Sequence, residues 1–108
     1  MLYILLPVFN RKTLTLNCVS LIKNQTYKKI KLILIDDGSN DGTSAAVVNE
    51  YPDTHVIRGN GDWWWGGCLH KGYEYINSIK TNSNDTILIL NDDTVFESNY
   101  ISNAIDFL

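Results

Sequence analysis

The stretch Thr86-Ile-Leu-Ile-Leu-Asn-Asp-Asp-Thr94 decides the predicted fold of this chain. Its apolar run, Thr86–Leu90, does not alternate, which is typical of a central strand covered on both faces. Asp92 and Asp93 would not be stable unpaired in such a core, so the sequence predicts that they lie just past the strand's carboxyl end. Two adjacent carboxylates favour a bound cation, and a simple turn rich in Asn and Asp is the alternative.

Length, charge and cysteine content restrict the class of protein. The sequence has 108 residues, enough for one domain with its own core. Its formal net charge of −3 gives no basic surface, so we expect no nucleic-acid partner. Cys18 and Cys68 are too few for a disulfide framework, which favours a reduced, cytoplasmic protein. The apolar start, Met1–Pro7, is too short to span a membrane and lacks the features of a signal peptide.

Strand and helix patterns alternate along the whole chain. The predicted strands are Leu2–Val8, Ile30–Ile35, Thr54–Arg58 and Thr86–Leu90, and the predicted helices are Thr13–Asn24, Thr43–Glu50, Cys68–Lys80 and Ser98–Leu108. Asp41 or Ser39 is expected to cap the second helix. This order predicts an α/β fold, a three-layer α/β/α domain with a mainly parallel, doubly wound sheet of strand order 3-2-1-4.

Three strands of that sheet end in polar segments. The first ends at Pro7-Val8-Phe9-Asn10, the second at Asp36-Asp37 and the fourth at Asn91-Asp92-Asp93. In the predicted order the first and fourth strands are neighbours, and ligands bind at the carboxyl ends of strands beside such a switch point. Independent turns would not need three acid- or amide-rich ends at one edge, so the sequence favours a binding site there.

Four segments of the chain resemble the amino-terminal half of inverting family 2 glycosyltransferases, which have the GT-A fold. They are Leu6-Pro7-Val8-Phe9-Asn10, Ile35-Asp36-Asp37-Gly38-Ser39-Asn40-Asp41-Gly42-Thr43, Gly66-Gly67-Cys68-Leu69-His70-Lys71-Gly72 and Leu90-Asn91-Asp92-Asp93. Together they span nearly the whole chain, and the second is the most specific because it is close to D-D-G-S-x-D-G-T. The resemblance implies that the chain binds a nucleotide diphosphate-sugar.

The resemblance also implies roles for individual residues. Asp93 corresponds to the last acid of the family's D-x-D motif and is expected to bind a divalent cation, Mn²⁺ or Mg²⁺, with Asp92 as a second contact to metal or ribose. Asn91 stands where many members have an acid, which predicts weak metal binding. Asp37 is expected to accept the ring N–H of the nucleobase, or alternatively to cap the following helix. The implied nucleotide-binding residues are Pro7, Phe9, Asn10, Asp37, Gly67 and Asp92.

Three consecutive indoles, Trp63-Trp64-Trp65, precede the glycine pair Gly66-Gly67. Neighbours in an extended segment point to opposite sides, so at least one indole is expected to be exposed or to line a groove. Two interpretations stay open, stacking on a sugar or base, and a core anchor combined with an interface patch. The glycine pair allows a backbone or a phosphate to approach closely at a helix start.

For a complete enzyme the resemblance implies hexosyl or deoxyhexosyl transfer with inversion to a saccharide or lipid-linked acceptor, in the cytoplasm or at the inner face of the membrane. The catalytic base is expected beyond Leu108, so no residue here is assigned that role and the chain is expected to be truncated. The alternative is a non-catalytic nucleotide-sugar-binding or dimerisation module, with a homodimer formed through the unpaired sheet edge. A phosphotransferase of the haloacid dehalogenase type would need its nucleophile at Asn91, which cannot form an aspartyl phosphate.

Overall fold

A computed structural model of the chain describes residues 1–79 and 84–106. Strands and helices alternate in the predicted order. The strands are β1 (Leu2–Val8), β2 (Ile30–Asp36), β3 (Thr54–Arg58) and β4 (Thr86–Ile89), and the helices are α1 (Lys12–Lys23), α2 (Thr43–Glu50), α3 (Trp64–Ser78) and α4 (Tyr100–Asp106). Among these residues, no helix combines the length and the hydropathy that a membrane crossing requires.

The four strands form one sheet with the order β3-β2-β1-β4, and every neighbouring pair is parallel. This confirms the predicted fold class and strand order. At the carboxyl edge, Val8 of β1 lies beside Asp36 of β2. On the other side of β1, Leu5 pairs with Ile89 of β4, and the Leu90 N–H then donates to the Leu5 carbonyl at 3.1 Å. The polar segments after β1, β2 and β4 therefore meet at one edge, on either side of the switch point.

Side chains of β1 alternate between two apolar layers, one on each face of the sheet. Ile4 and Leu6 lie in the layer that also contains Val19 of α1 and Ile101 of α4. Leu5 lies in the opposite layer, together with apolar residues of α3. Burial of β1 and β2 on both faces explains their nearly continuous apolar sequences and establishes the three-layer arrangement.

β4 is an edge strand, as the predicted strand order requires, but the prediction from its apolar run that both of its faces are covered is wrong. Leu88 and Leu90 face the layer that contains α1 and α4, while Ile87 and Ile89 on the other face are exposed. The reason is the position of α3, which packs over β1 and β2. Within the described residues, no helix covers the outer face of β4.

α3 begins at Trp64, before the predicted start at Cys68, and α4 begins at Tyr100 instead of Ser98. α3 starts early because the Trp63 and Trp64 N–H groups donate to the Asp37 carboxylate, which follows another strand. Free N–H groups at a helix start need such acceptors. The predicted final residues of these helices, Lys80 and Phe107–Leu108, lie outside the described residues.

Candidate functional site

A cavity of about 660 Å³ opens at the carboxyl edge of the sheet, between the ends of β1, β2 and β4 and the start of α3. One part of its wall is aromatic and another part carries charged side chains. The lining residues are Pro7, Val8, Phe9, Arg11, Asp37, Gly61, Trp64, Trp65, Cys68, Asn91, Asp92 and Asp93. A cavity of this size, mostly apolar with a few convergent polar groups, is typical of a small-molecule site.

The structure brings most of the predicted site residues to this cavity. Pro7, Phe9, Asp37, Asp92 and Asp93 all line it. They come from strand ends far apart in the sequence, and the parallel register alone brings them together. The expected convergence of three polar strand ends is therefore seen in the structure.

Asn10 and Gly67 do not line the cavity. The Asn10 N–H donates to the Ser39 hydroxyl, and the Asn10 side-chain oxygen accepts from the Asn40 N–H, each at 2.8 Å. Asn10 therefore ties the loop after β1 to the loop after β2, in a left-handed backbone conformation with φ of 51°. A Cβ atom at Gly67 would lie 3.0 Å from the Trp63 Cβ, so this glycine allows close packing inside α3.

The charged part of the cavity contains Arg11, which the sequence patterns did not indicate as a site residue. Its guanidinium lies 3.2 Å from one oxygen of the buried Asp92 carboxylate and 3.8 Å from the Asp93 carboxylate. The Thr15 hydroxyl donates to the other Asp92 oxygen at 3.5 Å. The only sign in the sequence that Arg11 belongs to the site is its position, directly after the Leu6–Asn10 segment at the end of the first strand.

The segment after β4 is also a turn, in which the Thr94 N–H donates to the Asn91 carbonyl at 3.1 Å. The segment therefore forms a turn and also presents two adjacent carboxylates. The two interpretations of the sequence, a turn and a cation site, do not exclude each other. Burial raises the pKa of Asp92, Arg11 opposes the rise, and the neighbouring Asp93 adds to it. The guanidinium thus acts as the internal counter-ion of two carboxylates that repel each other.

A divalent cation would find one accessible carboxylate in this region. Within residues 1–79 and 84–106, no cluster of three or more His, Cys, Asp or Glu side chains has the arrangement of a metal site. The Asp93 side chain is 56% exposed, whereas both Asp92 oxygens already contact Arg11 and Thr15. Mg²⁺ is commonly bound by one or two carboxylates together with substrate phosphates. The Asp93 carboxylate matches this mode of metal binding. The Asp92 carboxylate would match it only after Arg11 moves away.

Asp37 is buried at the foot of the aromatic wall and binds backbone groups. One carboxylate oxygen accepts the Gly61 N–H at 3.0 Å, and the other accepts the Trp63 and Trp64 N–H groups at 3.0 and 2.9 Å. Asp37 therefore caps α3, which follows β3. The sequence had predicted α2 as the helix that Asp37 could cap. Cys68 lies beside it in α3, where burial and the charges of Asp37 and Asp36 raise the pKa of the thiol to about 11.

Asp36, the neighbouring acid, organises the loop before α2. Its fully buried carboxylate accepts hydrogen bonds from the Ser39 N–H at 2.9 Å, the Ser44 hydroxyl and the Arg58 guanidinium at 3.2 Å. Asp41, one of the two predicted caps of α2, accepts the Thr43 N–H at 3.1 Å. The other predicted cap, Ser39, accepts an N–H from the β1 loop instead. The N-cap position itself is Gly42, in a left-handed conformation with φ of 83°.

The three tryptophans have different environments. Trp63 is partly buried and packs against the apolar layer under α3, with the Lys71 ammonium 5.4 Å from its ring centre. Trp64 and Trp65 line the cavity and are 79% and 56% exposed. The expectation that at least one indole is exposed or lines a groove is thus met by both. Phe9 faces the same cavity and is 51% exposed.

Comparison with known protein families accounts for almost the whole chain. The model of the family "Glycosyl transferase family 2" matches residues 3–108. The chain belongs to glycosyltransferase family 2. The resemblance seen in the four sequence segments is thereby confirmed.

One curated relative of this family 2 chain is the GalNAc(5)-diNAcBac-PP-undecaprenol beta-1,3-glucosyltransferase of Campylobacter jejuni. It is 35% identical over 57 residues, which are 53% of this chain and 18% of the relative. A solved structure of similar fold is the mannosyltransferase PcManGT from Pyrobaculum calidifontis in complex with GDP-Man and Mn²⁺. It matches with a TM-score of 0.83 and 19% identity over 99% of this chain and 32% of its own. This family 2 chain therefore spans about a fifth and about a third of these two proteins.

Proposed function

We propose that this family 2 domain binds a nucleotide diphosphate-sugar donor in the cavity at the carboxyl edge of the sheet. The observation that carries the proposal is the combination of Phe9, Trp64 and Trp65 with the charged group Arg11, Asp92 and Asp93 in one cavity. A nucleotide sugar needs an aromatic or apolar surface for its base and compensating charge for its diphosphate. The structural relative solved with GDP-Man and Mn²⁺ supports the proposal.

In the proposed complex, the base lies by Pro7 and Phe9, and the lone pair of Asp37 that the three N–H groups leave unused accepts a ring N–H. The diphosphate lies toward Arg11, Asp92 and Asp93. Asn10 acts from behind the cavity wall by tying two loops together, and Gly67 acts by allowing α3 to pack closely against Trp63. In the proposed complex, each predicted nucleotide-binding residue therefore either contacts the nucleotide or supports a residue that does.

The charged end of the cavity is the proposed position of a divalent cation, Mn²⁺ or Mg²⁺. Asp93 would hold it through its accessible carboxylate, and Asp92 would join when Arg11 releases it. When bound, such a cation stabilises negative charge on the leaving nucleotide diphosphate as a Lewis acid. The cation would also explain how a chain of net charge −3 attracts a diphosphate.

Activity and acceptor are proposed for the protein of which this domain forms the donor-binding half. By analogy with the relative named for a PP-undecaprenol substrate, the acceptor is proposed to be a saccharide, in particular a lipid-linked one. The reaction would be hexosyl or deoxyhexosyl transfer with inversion, and its location the cytoplasm at the inner face of the membrane. We assign the catalytic base to no residue of this chain.

Calorimetric titration with UDP, GDP and dTDP, with and without Mn²⁺, tests the proposed donor site. We expect binding of at least one of them with a metal-dependent heat. Asp93→Asn should remove the metal dependence, whereas Asp53→Asn, which changes an exposed acid paired with Lys31, should not. If none of the nucleotides gives a metal-dependent heat, the proposal is wrong.

A donor-hydrolysis assay on the same protein separates a transferase domain from a binding module without turnover, which is the alternative function.

Sedimentation velocity tests the proposed homodimer, for which the edge of β4 with its exposed Ile87 and Ile89 is the proposed interface. An Ile87→Lys, Ile89→Lys variant should be monomeric if this edge mediates association. A dimer that persists in this variant would exclude the β4 edge.

A further inference from the structure

Asp37 holds three successive parts of the segment that leads into α3. Its carboxylate accepts the N–H groups of Gly61, Trp63 and Trp64 at distances between 2.9 and 3.0 Å. Hydrogen bonds to an ionised and buried acceptor are roughly twice as strong as those between neutral groups. The contacts join the end of β2 to residues more than twenty positions later in the chain. This carboxylate therefore defines the path of the whole segment.

Glycines make the close approach of the two chain segments possible. A Cβ atom at Gly59 would lie 2.6 Å from an Asp37 oxygen and 2.7 Å from the Trp63 ring. A Cβ atom at Gly38 would lie 2.8 Å from the Gly61 nitrogen. Real Cβ atoms do not approach other atoms so closely, so the backbone around the carboxylate is tightly packed.

Trp64 is held in a conformation that a tryptophan rarely adopts. Its φ is +56°, in the left-handed region that sterically disfavours large side chains. Its indole is also 79% exposed at the cavity wall, so core packing does not account for the conformation. Strained residues persist where the surroundings fix them, and they cluster at ligand sites. Here the surroundings are the three hydrogen bonds to Asp37.

We propose that Asp37 is a positioning residue that holds Trp64 in place as a stacking surface for the nucleobase. The inference rests on the proposed function, because it assumes that a nucleotide enters this cavity. An Asp37 oxygen lies 2.9 Å from the Trp64 backbone nitrogen, and the two residues line the same cavity. A base that donates to this carboxylate would therefore enter the cavity that the Trp64 indole lines. Stacking tolerates every base because each has an aromatic face. Asp37 then affects binding of all nucleotides through Trp64, beyond any direct bond to one base.

The positioning role is tested first without a ligand. Asparagine at position 37 keeps one acceptor oxygen and turns a donor toward the N–H groups, so Asp37→Asn should loosen the segment. We expect the exchange of the Gly61, Trp63 and Trp64 amide hydrogens to accelerate more than roughly tenfold. The control variant Asp53→Asn should leave these rates unchanged. Unchanged rates in folded Asp37→Asn would overturn the positioning role, whether or not any nucleotide binds.

The stacking role is tested with ligands that differ only in their base. Trp64→Gly removes the indole, and glycine adopts the same φ without strain, so the variant is expected to fold even where Asp37→Asn does not. We expect its affinity for UDP, CDP and GDP to fall roughly 5- to 150-fold and its affinity for inorganic pyrophosphate to stay unchanged. Tyr73→Ala, which removes another exposed aromatic side chain of α3, should change neither.

Uridine and cytidine nucleotides separate positioning from direct recognition. The uracil ring has an N–H that Asp37 could accept, whereas the corresponding ring nitrogen of cytosine is an acceptor. If Asp37 positions Trp64, Asp37→Asn should weaken CDP binding as well as UDP binding. Loss of UDP binding alone, or a Trp64→Gly variant that weakens only nucleotide sugars and not nucleoside diphosphates, would overturn the proposal. Failure of wild-type protein to bind any nucleotide would instead refute the proposed function.

Discussion

The Arg11 guanidinium lies 3.2 Å from the buried Asp92 carboxylate and 3.8 Å from Asp93, so an arginine occupies the place beside the acid pair where a cation is expected. It reaches this position from the start of α1, across the switch point between β1 and β4. Any cation that bridges both acids must compete with this guanidinium. The same side chain could also meet a diphosphate directly, since Arg binds phosphate oxygens in a bidentate manner.

Arg11→Gln is therefore expected to increase the affinity of the domain for Mn²⁺. Removal of a partly exposed positive charge near the acid pair should strengthen binding roughly three- to tenfold. Calorimetry or the electron paramagnetic resonance of free Mn²⁺ measures the change. The control is Lys23→Gln, which removes a surface charge paired with Glu50. Equal or weaker Mn²⁺ binding in Arg11→Gln would contradict a competition between the arginine and the metal.

The raised pKa of Asp92 predicts a pH-dependent contribution to stability. Its carboxyl binds a proton more tightly in the folded protein, because burial raises the pKa above the usual 3.8. This group therefore stabilises the fold most below that pH, and its contribution decreases as pH rises through the folded pKa. Asp92→Asn lacks this dependence. The free energy of unfolding of wild type minus that of the variant should therefore fall as pH rises above the usual carboxyl pKa of 3.8.

Urea denaturation at several pH values measures this difference. Asp53→Asn serves as the control, because Asp53 is an exposed residue with a lysine partner. A difference between wild type and Asp92→Asn that stays constant or grows with pH would contradict the predicted direction.

Asp36→Ala should destabilise the domain strongly. The fully buried carboxylate binds Arg58, the Ser39 N–H and the Ser44 hydroxyl. Its removal leaves the Ser39 N–H and the Ser44 hydroxyl without this acceptor, while Arg58 keeps its bond to the Ser39 carbonyl at 3.1 Å. Each buried donor that loses its acceptor costs about 1–3 kcal/mol, and Asp36→Ala affects two of them. The exposed pair of Asp53 and Lys31 should contribute only about 0–1 kcal/mol. Chemical denaturation of Asp36→Ala and Asp53→Ala compares them directly, and similar losses in both would refute the predicted role of Asp36.

Two glycines of α3 should respond oppositely to alanine. A Cβ atom at Gly72 would lie 2.9 Å from a Leu5 methyl group and 3.1 Å from one of Ile35, so overpacking should cost about 1–3 kcal/mol. A Cβ atom at Gly66 would meet no packing neighbour within 4 Å among the described residues. The better helix propensity of alanine should therefore stabilise the domain by up to about 1 kcal/mol. Thermal unfolding of both variants measures the contrast. A neutral Gly72→Ala would show that α3 can move away from the sheet.

Both cysteines should be unreactive in the folded domain. Cys18 and Cys68 are buried, and burial raises the pKa of each thiol from 9.0 to about 11. Near pH 8 the thiolate fraction is then about a hundredfold lower than for a thiol with the usual pKa. Titration with a disulfide reagent should be slow in buffer and complete in denaturant. Rapid modification of Cys68 in the folded state would show that the cavity exposes it.

Much of the fold follows from short patterns in the chain. Apolar runs such as Ile30–Ile35 alternate with segments of helical periodicity and with turn residues, which predicts the alternating order of strands and helices. Right-handed crossovers then favour the strand order 3-2-1-4. The start of α3 could not be predicted in this way, because its first N–H groups are satisfied by Asp37 from another strand end. The predicted strand order places β4 at the edge, but the exposure of its Ile87 and Ile89 was not predicted, because the same apolar run is typical of a strand covered on both faces.

Periodicity and turn chemistry are local properties of the chain, so they predict a parallel α/β sheet with polar strand ends, and five of the seven residues predicted for the site line the cavity. Which residues contact one another depends on the tertiary structure. Asp37 binds the tryptophan segment, and Asp92 is paired with Arg11 from the first helix. Contacts between residues so distant in sequence depend on strand register and side-chain direction, which no local pattern encodes.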